Sequence, residues 1–127
     1  MKIDEIIGFL DADCLTEKVD KDYNYAFASD LMSDVLALAG EATILITGLN
    51  NPQIVRTAEM LDMSLIILVR GKKPSEETLA IANQTNITIL TTAMTMYETC
   101  GKLYKAGILA LQIWMMQIFL KDIHMKS

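Results

Sequence analysis

This chain is poor in the residues that usually do chemistry or cross-link a fold. Its 127 residues include two cysteines, one histidine and one tryptophan. Cys14 and Cys100 stand far apart, and neither has a Cys-x-x-Cys partner. They read as small buried hydrophobes in a reducing compartment. His124 has no second histidine to work with. Zinc sites and catalytic triads are therefore not expected, and His124 reads as a solvated tail residue. The Gly-rich signatures of P-loops and dinucleotide folds are missing, as is the Gly-x-Ser-x-Gly elbow. The expectation is no catalytic residue, no metal and no cofactor.

Positive charge is also scarce. A net charge of −5 speaks against a general nucleic-acid binder, which needs a basic surface. No apolar run reaches the ~20 residues of a membrane span. Met1-Lys2-Ile3-Asp4-Glu5 does not open a secretory signal, because the segment that follows is too short and too acidic. A cytoplasmic protein is expected, with no membrane partner.

What is present is an apolar fraction of 52% against 21% charged, enough for a real core in a chain of this length. It is arranged as a cadence. Thr43-Ile44-Leu45-Ile46-Thr47, Leu65-Ile66-Ile67-Leu68-Val69 and Ile87-Thr88-Ile89-Leu90 are short, continuous and β-branched. Helical patterns of roughly ten residues separate them. Only a sheet covered on both faces tolerates unbroken apolar strands, and parallel neighbours need such crossovers. The cadence predicts a three-layer α/β domain with a mainly parallel sheet covered by helices.

The remaining segments extend that plan. Residues 2–10 read as a helix with Ile3, Ile6, Ile7 and Leu10 on one face. Cys14-Leu15 and Tyr25-Ala26-Phe27-Ala28 read as strands, and residues 18–24 as a polar surface loop. Ser29 or Asp30 suits the N-cap of a helix over 31–39, with Leu31, Val35 and Leu38 inward. Asn51 and Pro52 suit the N-cap and first position of the next helix, which turns Ile54, Val55, Ala58 and Leu61 inward. A helix begins at Pro74-Ser75-Glu76-Glu77, burying Leu79, Ala80 and Ala82. Thr95 caps another, with Glu98 three residues on as in a capping box.

Open sheets of this kind bind ligands at the loops leaving the strands' carboxyl ends. Those loops are Gly48-Leu49-Asn50-Asn51, Arg70-Gly71-Lys72-Lys73 and Thr91-Thr92-Ala93. Gly48 allows close backbone approach, Asn50 and Asn51 donate and accept, Arg70 adds charge beside Gly71, and Thr92 adds a hydroxyl. Gly48, Asn50, Asn51, Arg70, Gly71 and Thr92 are the candidate site for a small anion such as a phosphate or carboxylate. Each loop also has a plain connecting role, since Gly and Asn are turn residues first. Asp30 and Asp34 fall at i, i+4, a spacing that can hold a metal but more often serves as cap and dipole partner. Methionines such as Met60, Met63, Met94, Met96, Met115 and Met116 are spread over many elements and read as core filling.

Residues 108–120 break the rhythm. They predict a helix apolar nearly all round, interrupted by Gln112 and Gln117. A helix apolar on every side needs cover on every side. Its own domain, a second copy or a membrane surface supplies that cover. The segment lacks the charged face of an interfacial helix, so a second copy is the expectation. Ile108, Leu111, Trp114, Met115, Ile118 and Phe119 are then interface residues of a homodimer. The division is 1–107 for the α/β domain and 108–127 for the apolar helix and its short polar tail.

Ser29-Asp30-Leu31-Met32-Ser33-Asp34-Val35 and Ile44-Leu45-Ile46-Thr47 form the first part of a longer pattern. After a polar turn it continues with Ile54-Val55-Arg56-Thr57-Ala58, then Ile67-Leu68-Val69-Arg70-Gly71-Lys72-Lys73-Pro74-Ser75-Glu76-Glu77. Ile89-Leu90-Thr91-Thr92-Ala93-Met94-Thr95-Met96-Tyr97-Glu98-Thr99 completes it. With these pieces, over roughly residues 2–107, the chain resembles the DRTGG-domain family. That family is similar to the N-terminal domain of bifunctional HPr kinase/phosphorylase. The resemblance implies a regulatory or interaction module, often dimeric, with no established reaction. In larger proteins such domains accompany CBS or catalytic domains. Small stand-alone versions resemble those encoded near iron-only hydrogenase and redox genes in anaerobic bacteria, often labelled serine kinase. Kinase activity belongs to a separate P-loop domain that this sequence does not contain. The Asp-Arg turn that names the family is replaced here by Gly48-Leu49-Asn50-Asn51, so a role attached to those charges does not carry over. The expected function is a non-catalytic regulatory module that binds a small anionic ligand or a protein partner. The alternative is a small phosphate-chemistry enzyme using Asp30 and Asp34.

Overall fold

The computed structural model describes residues 1–40 and 42–110. In chain order the elements are α1 (Ile3–Leu10), β1 (Asp13–Cys14), β2 (Tyr25–Ala28), α2 (Met32–Leu38), β3 (Ile44–Thr47) and α3 (Pro52–Met60). They continue with β4 (Leu65–Leu68), α4 (Glu76–Gln84), β5 (Thr88–Thr91), α5 (Met96–Ala106) and β6 (Leu109–Ala110). The strands form one sheet in the order β1-β5-β4-β3-β2-β6. Strands β2 to β5 are parallel to their neighbours, and β6 is parallel to β2. Only β1 runs antiparallel, against β5.

The unbroken apolar strands have the cause their sequence implies. Leu45, Ile66, Leu68 and Ile89 pack on one face of the sheet with Val35 of α2, Ile54, Val55 and Ala58 of α3, and Ala82 of α4. Ile44, Ile46, Leu65, Ile67 and Leu90 pack on the other with Ile3, Ile6 and Leu10 of α1 and Leu103 of α5. Side chains alternate between faces along each strand, and both faces are buried. The α/β three-layer plan is therefore observed.

Several helix starts also follow local chemistry. Asn51 holds the N-cap position of α3 with Pro52 next. Ser75 Oγ accepts from the Thr78 N–H, and Thr95 Oγ1 from the Glu98 N–H, each at 3.3 Å. Helix α5 stops at Gly107, whose φ of 113° is open to glycine and strained for other residues.

Four expectations are corrected. Tyr23 lies in the segment read as surface loop, yet it is fully buried. Its hydroxyl donates to the Val19 carbonyl at 3.1 Å. Burial pushes the phenol above its usual pKa, and the nearby Ser64 and Thr88 hydroxyls partly offset this. Helix α2 starts at Met32 and buries only Val35; Leu31 and Leu38 stay exposed. On α4, Ala80 is exposed while Thr78 and Ala82 face inward. The helix expected from Ile108 does not begin there. Gly107 ends α5, Ile108 is buried among the α1/α5 side of its own core, and Leu109–Ala110 is a strand. The reason is the open edge of β2, where the Leu109 N–H reaches the Asn24 carbonyl at 2.7 Å. Leu111, Trp114, Met115, Ile118, Phe119 and His124, and the rest of the expected C-terminal helix, lie outside the described residues. Among the described residues no helix is long and apolar enough to cross a membrane.

Candidate functional site

The parallel strands β2 to β5 send their carboxyl ends to one edge of the sheet. The loops leaving β2, β3, β4 and β5 therefore sit side by side. The hydrogen-bond ladder runs on past the strands: the Val69 N–H donates to the Thr47 carbonyl, and the Thr92 N–H to the Leu68 carbonyl. Neighbouring loops are thereby held in register before any side chain acts.

The loop after β4 is the most constrained part of this edge. Arg70 and Gly71 both have positive φ, 59° and 68°. The Lys72 N–H donates back to the Val69 carbonyl at 3.3 Å. Two successive residues of positive φ inside a four-residue turn are the pattern of a type I′ turn. It suits Gly71 and strains Arg70. The neighbouring loop supplies compensation. The Arg70 N–H donates to the Met94 carbonyl at 2.8 Å and the Gly71 N–H to the Thr92 carbonyl at 2.7 Å. Thr91 Oγ1 donates to the Lys72 carbonyl at 2.7 Å, and Asn50 Nδ2 to the Lys73 carbonyl at 2.9 Å. Arg70, Gly71, Lys72 and Lys73 are exposed, yet their backbone is fixed from both sides.

Gly48 is buried directly beside this loop. A Cβ built on Gly48 would collide with Arg70 Nη2 and lie 3.4 Å from Asp30 Oδ1. Glycine is thus what lets the Arg70 guanidinium lie across the start of the β3–α3 loop. Asp30 closes the same corner. Its Oδ1 accepts from the Gly48 N–H at 2.6 Å and from Thr47 Oγ1 at 3.0 Å. Among the described residues the ion pairs are Lys2 with Asp20 and Asp22, and Lys18 with Asp4. Arg70, Lys72 and Lys73 enter none of these pairs.

Of the six residues singled out by sequence, Gly48 and Arg70 touch, and Gly71 and Thr92 are joined through their backbones. Asn50 is a strut to Lys73, and Asn51 stands exposed at the N-cap of α3 without a side-chain cap bond. The Thr92 hydroxyl does not face the loops. It is buried and donates to the Leu10 carbonyl at 2.8 Å, tying β5 to the end of α1. The Gly48 and Gly71 amides are likewise already engaged, so these two glycines offer an anion no backbone N–H. Among the described residues, the cationic donors at this edge are the Arg70 guanidinium and the lysines beside it.

Sequence reasoning placed Asp30 as a cap or as one half of a carboxylate pair with Asp34. It is neither. Helix α2 begins two residues later, with Leu31 at the N-cap, and Asp34 sits in its first turn. The Asp30 carboxylate instead turns back to Gly48, so the two acids do not share a helix face. Lys73 was also missed as the acceptor for Asn50. No one-dimensional signal marks either contact, because the partners are 18 and 23 positions apart. Among the described residues no group of three or more His, Cys, Asp or Glu gathers to hold a metal.

With this geometry in hand, comparison with known proteins is informative. The DRTGG-domain family model matches residues 5–106. A similar solved structure is that of the CBS and DRTGG domains of the regulatory region of Clostridium perfringens pyrophosphatase, complexed with an activator, diadenosine tetraphosphate. The likeness has a TM-score of 0.66 at 21% identity, covering 80% of this chain and 45% of that one. It is a likeness of fold, and this chain corresponds to less than half of that regulatory region. No curated protein sequence matches the chain.

Proposed function

The chain belongs to the DRTGG-domain family, and from that premise we propose that it is a non-catalytic regulatory module. It binds a small phosphate-bearing ligand beside Arg70 and passes the signal to a second copy or to a protein partner. One observation carries the reading: an exposed arginine, outside the ion pairs of the described residues, is held by a backbone-locked turn across a glycine that leaves room for it. A turn fixed in advance loses little backbone freedom on binding, and a guanidinium matches phosphate oxygens in pairs. Lys72 and Lys73 add charge on the same loop. The similar pyrophosphatase regulatory region carries a phosphate-rich activator, which gives a first ligand to try. The Asp30 carboxylate beside Arg70 sets a condition: it repels a highly charged anion unless the ligand also offers a donor, as a nucleotide's sugar or base does.

The finer reading rests on residue pattern. The chain is similar to the N-terminal domain of HPr kinase/phosphorylase standing without the kinase domain, in the cytoplasm of a bacterium. It assembles as a homodimer, with the apolar residues 111–120 at the contact. Sedimentation at micromolar concentration tests the assembly, and a monomer would overturn it.

Ligand binding is tested by thermal shift with inorganic phosphate, AMP, ATP and diadenosine tetraphosphate, with and without magnesium. A ligand at a hundred times its Kd stabilises by about 2.7 kcal/mol, a shift of several degrees. Arg70→Glu should remove the shift while leaving the unliganded Tm nearly unchanged. An undiminished shift in that variant would place the ligand elsewhere. Turnover of any nucleotide would favour the enzyme alternative, which needs Asp30 and Asp34 to act together where the fold sets them apart.

A further inference from the structure

Beside the outer edge of β2 lies an apolar groove of about 290 Å³. Ala26, Ala28 and Ile46 line it from the sheet, Cys100 and Leu103 from α5, and Ala110 from β6. It differs from the charged loops in character: its lining is mainly apolar and holds no charged side chain. Tyr104 and Leu109, which also line it, are 66% and 50% exposed. That is much apolar surface for the rim of a folded domain to leave open to water.

The described part of β6 runs beside half of β2. Leu109 pairs with Tyr25 and Ala110 with Ala26, while Phe27 and Ala28 have no described partner on that side. A chain leaving Ala110 along the direction of β6 runs beside Phe27 and Ala28, and both of these line the groove. The residues that follow are Leu111-Gln112-Ile113-Trp114-Met115-Met116-Gln117-Ile118-Phe119-Leu120, apolar but for two glutamines. We propose that residues 111–120 of the same chain occupy this groove and close the β6 end of the sheet.

The occupant is argued to come from the same chain because the groove ends at Ala110, one peptide bond from the segment. A short tether of this kind gives an effective concentration of about millimolar or higher, which a second molecule at micromolar concentration does not match. The groove takes one side of the segment. The other side stays available to a second copy, so cis docking and dimerisation stand or fall separately.

Cys100 is the reporter. It lines the groove, and Cys14→Ser leaves it the only thiol. In the full-length Cys14→Ser chain, reaction of Cys100 with a small thiol reagent should be slow. The rate should not change between protein concentrations at which sedimentation shows monomer and those at which it shows dimer. Leu111→Asp with Trp114→Asp should speed the reaction about tenfold or more, by favouring the open groove, with an unchanged far-UV circular dichroism spectrum. Equal rates in the two chains would overturn the proposal, and so would protection that appears only in the dimer, which would assign the groove to a second copy. A measurement without that double variant guards against its misfolding. Trp114, the only tryptophan, should emit as a shielded side chain in the dilute monomer. Solvent-exposed emission there would also overturn the proposal.

Discussion

Two ends of the same sheet handle exposure in opposite ways. At the carboxyl edge, the loop Arg70-Gly71-Lys72-Lys73 is charged and exposed, yet its backbone is bonded to residues on both sides, through Asn50, Thr91, Thr92 and Met94. At the β6 end, side chains are apolar, and among the described residues the edge strand is Leu109–Ala110, which leaves half of β2 without a described partner. The first region is stiff and polar, which suits presenting charge to a small ligand. The second is apolar and, among the described residues, only partly covered, which suits receiving more polypeptide. Exposure alone does not distinguish them; what the backbone is bonded to does.

Substitutions can break this contrast. The largest effect is expected at Ile108, the residue that anchors the β6 end and is 2% exposed. Ile108→Ala should cost about 2–5 kcal/mol, as truncations of buried aliphatics do, read by urea denaturation. A loss near zero would mean that this end contributes little to the fold. Next is Gly71→Ala. Nothing lies within 4 Å of an added Cβ there, so the cost is conformational alone, about 1–2 kcal/mol for a left-handed residue. If the loop is as rigid as its bonds imply, the turn cannot relax and the full cost appears; a much smaller loss would show a pliable turn. Thr91→Val removes one tether, the hydrogen bond to the Lys72 carbonyl. It should cost about 0.5–1.5 kcal/mol and increase tryptic cutting after Lys72, since Pro74 protects the bond after Lys73.

The smallest effect is a pH dependence at the buried Tyr23, whose phenol lies by Ser64 and Thr88 at the starts of β4 and β5. The Tyr23 phenol is raised by burial, so the fold favours its neutral form. Its contribution is complete below the unfolded-state value of about 10 and is lost as pH rises through the higher folded value. Stability above pH ~10 should therefore fall less steeply in Tyr23→Phe than in the parent. Parallel slopes would show that the buried phenol does not govern alkaline unfolding.

How much of this was legible beforehand depends on how local the cause is. Strands β3, β4 and β5 and the starts of α3, α4 and α5 are written in adjacent residues: continuous β-branched runs, Asn51 before Pro52, Ser75 before two glutamates, Thr95 three residues before Glu98. Periodicity and capping act within one or two turns of chain, so sequence carries them. The convergence of the strand-end loops at one sheet edge followed from the same cadence, and Gly48 and Arg70, two of the six residues expected to cluster, lie close together there. Residue roles within that corner did not follow. The Thr92 hydroxyl looked available and is buried against Leu10, 82 positions away. Asp30 looked like a cap and instead bonds Gly48. Tyr23, in a stretch of charged residues, is buried because the sheet and α1 close over it.

The sequence by itself determined that this is a layered α/β domain with a covered parallel sheet, and which edge its loops crowd. Hydrophobic period and turn chemistry are properties of neighbours along the chain, and they suffice for that. Only the tertiary structure decided that β1 joins β5 antiparallel, that Leu109–Ala110 extends the sheet as a strand, and that the Arg70 guanidinium lies against Gly48 with Asp30 close by. Each of these depends on which hydrogen-bonding edge or buried acceptor is left unfilled once the layers pack. That is settled between residues far apart in sequence, by the requirement that buried backbone and polar groups find partners.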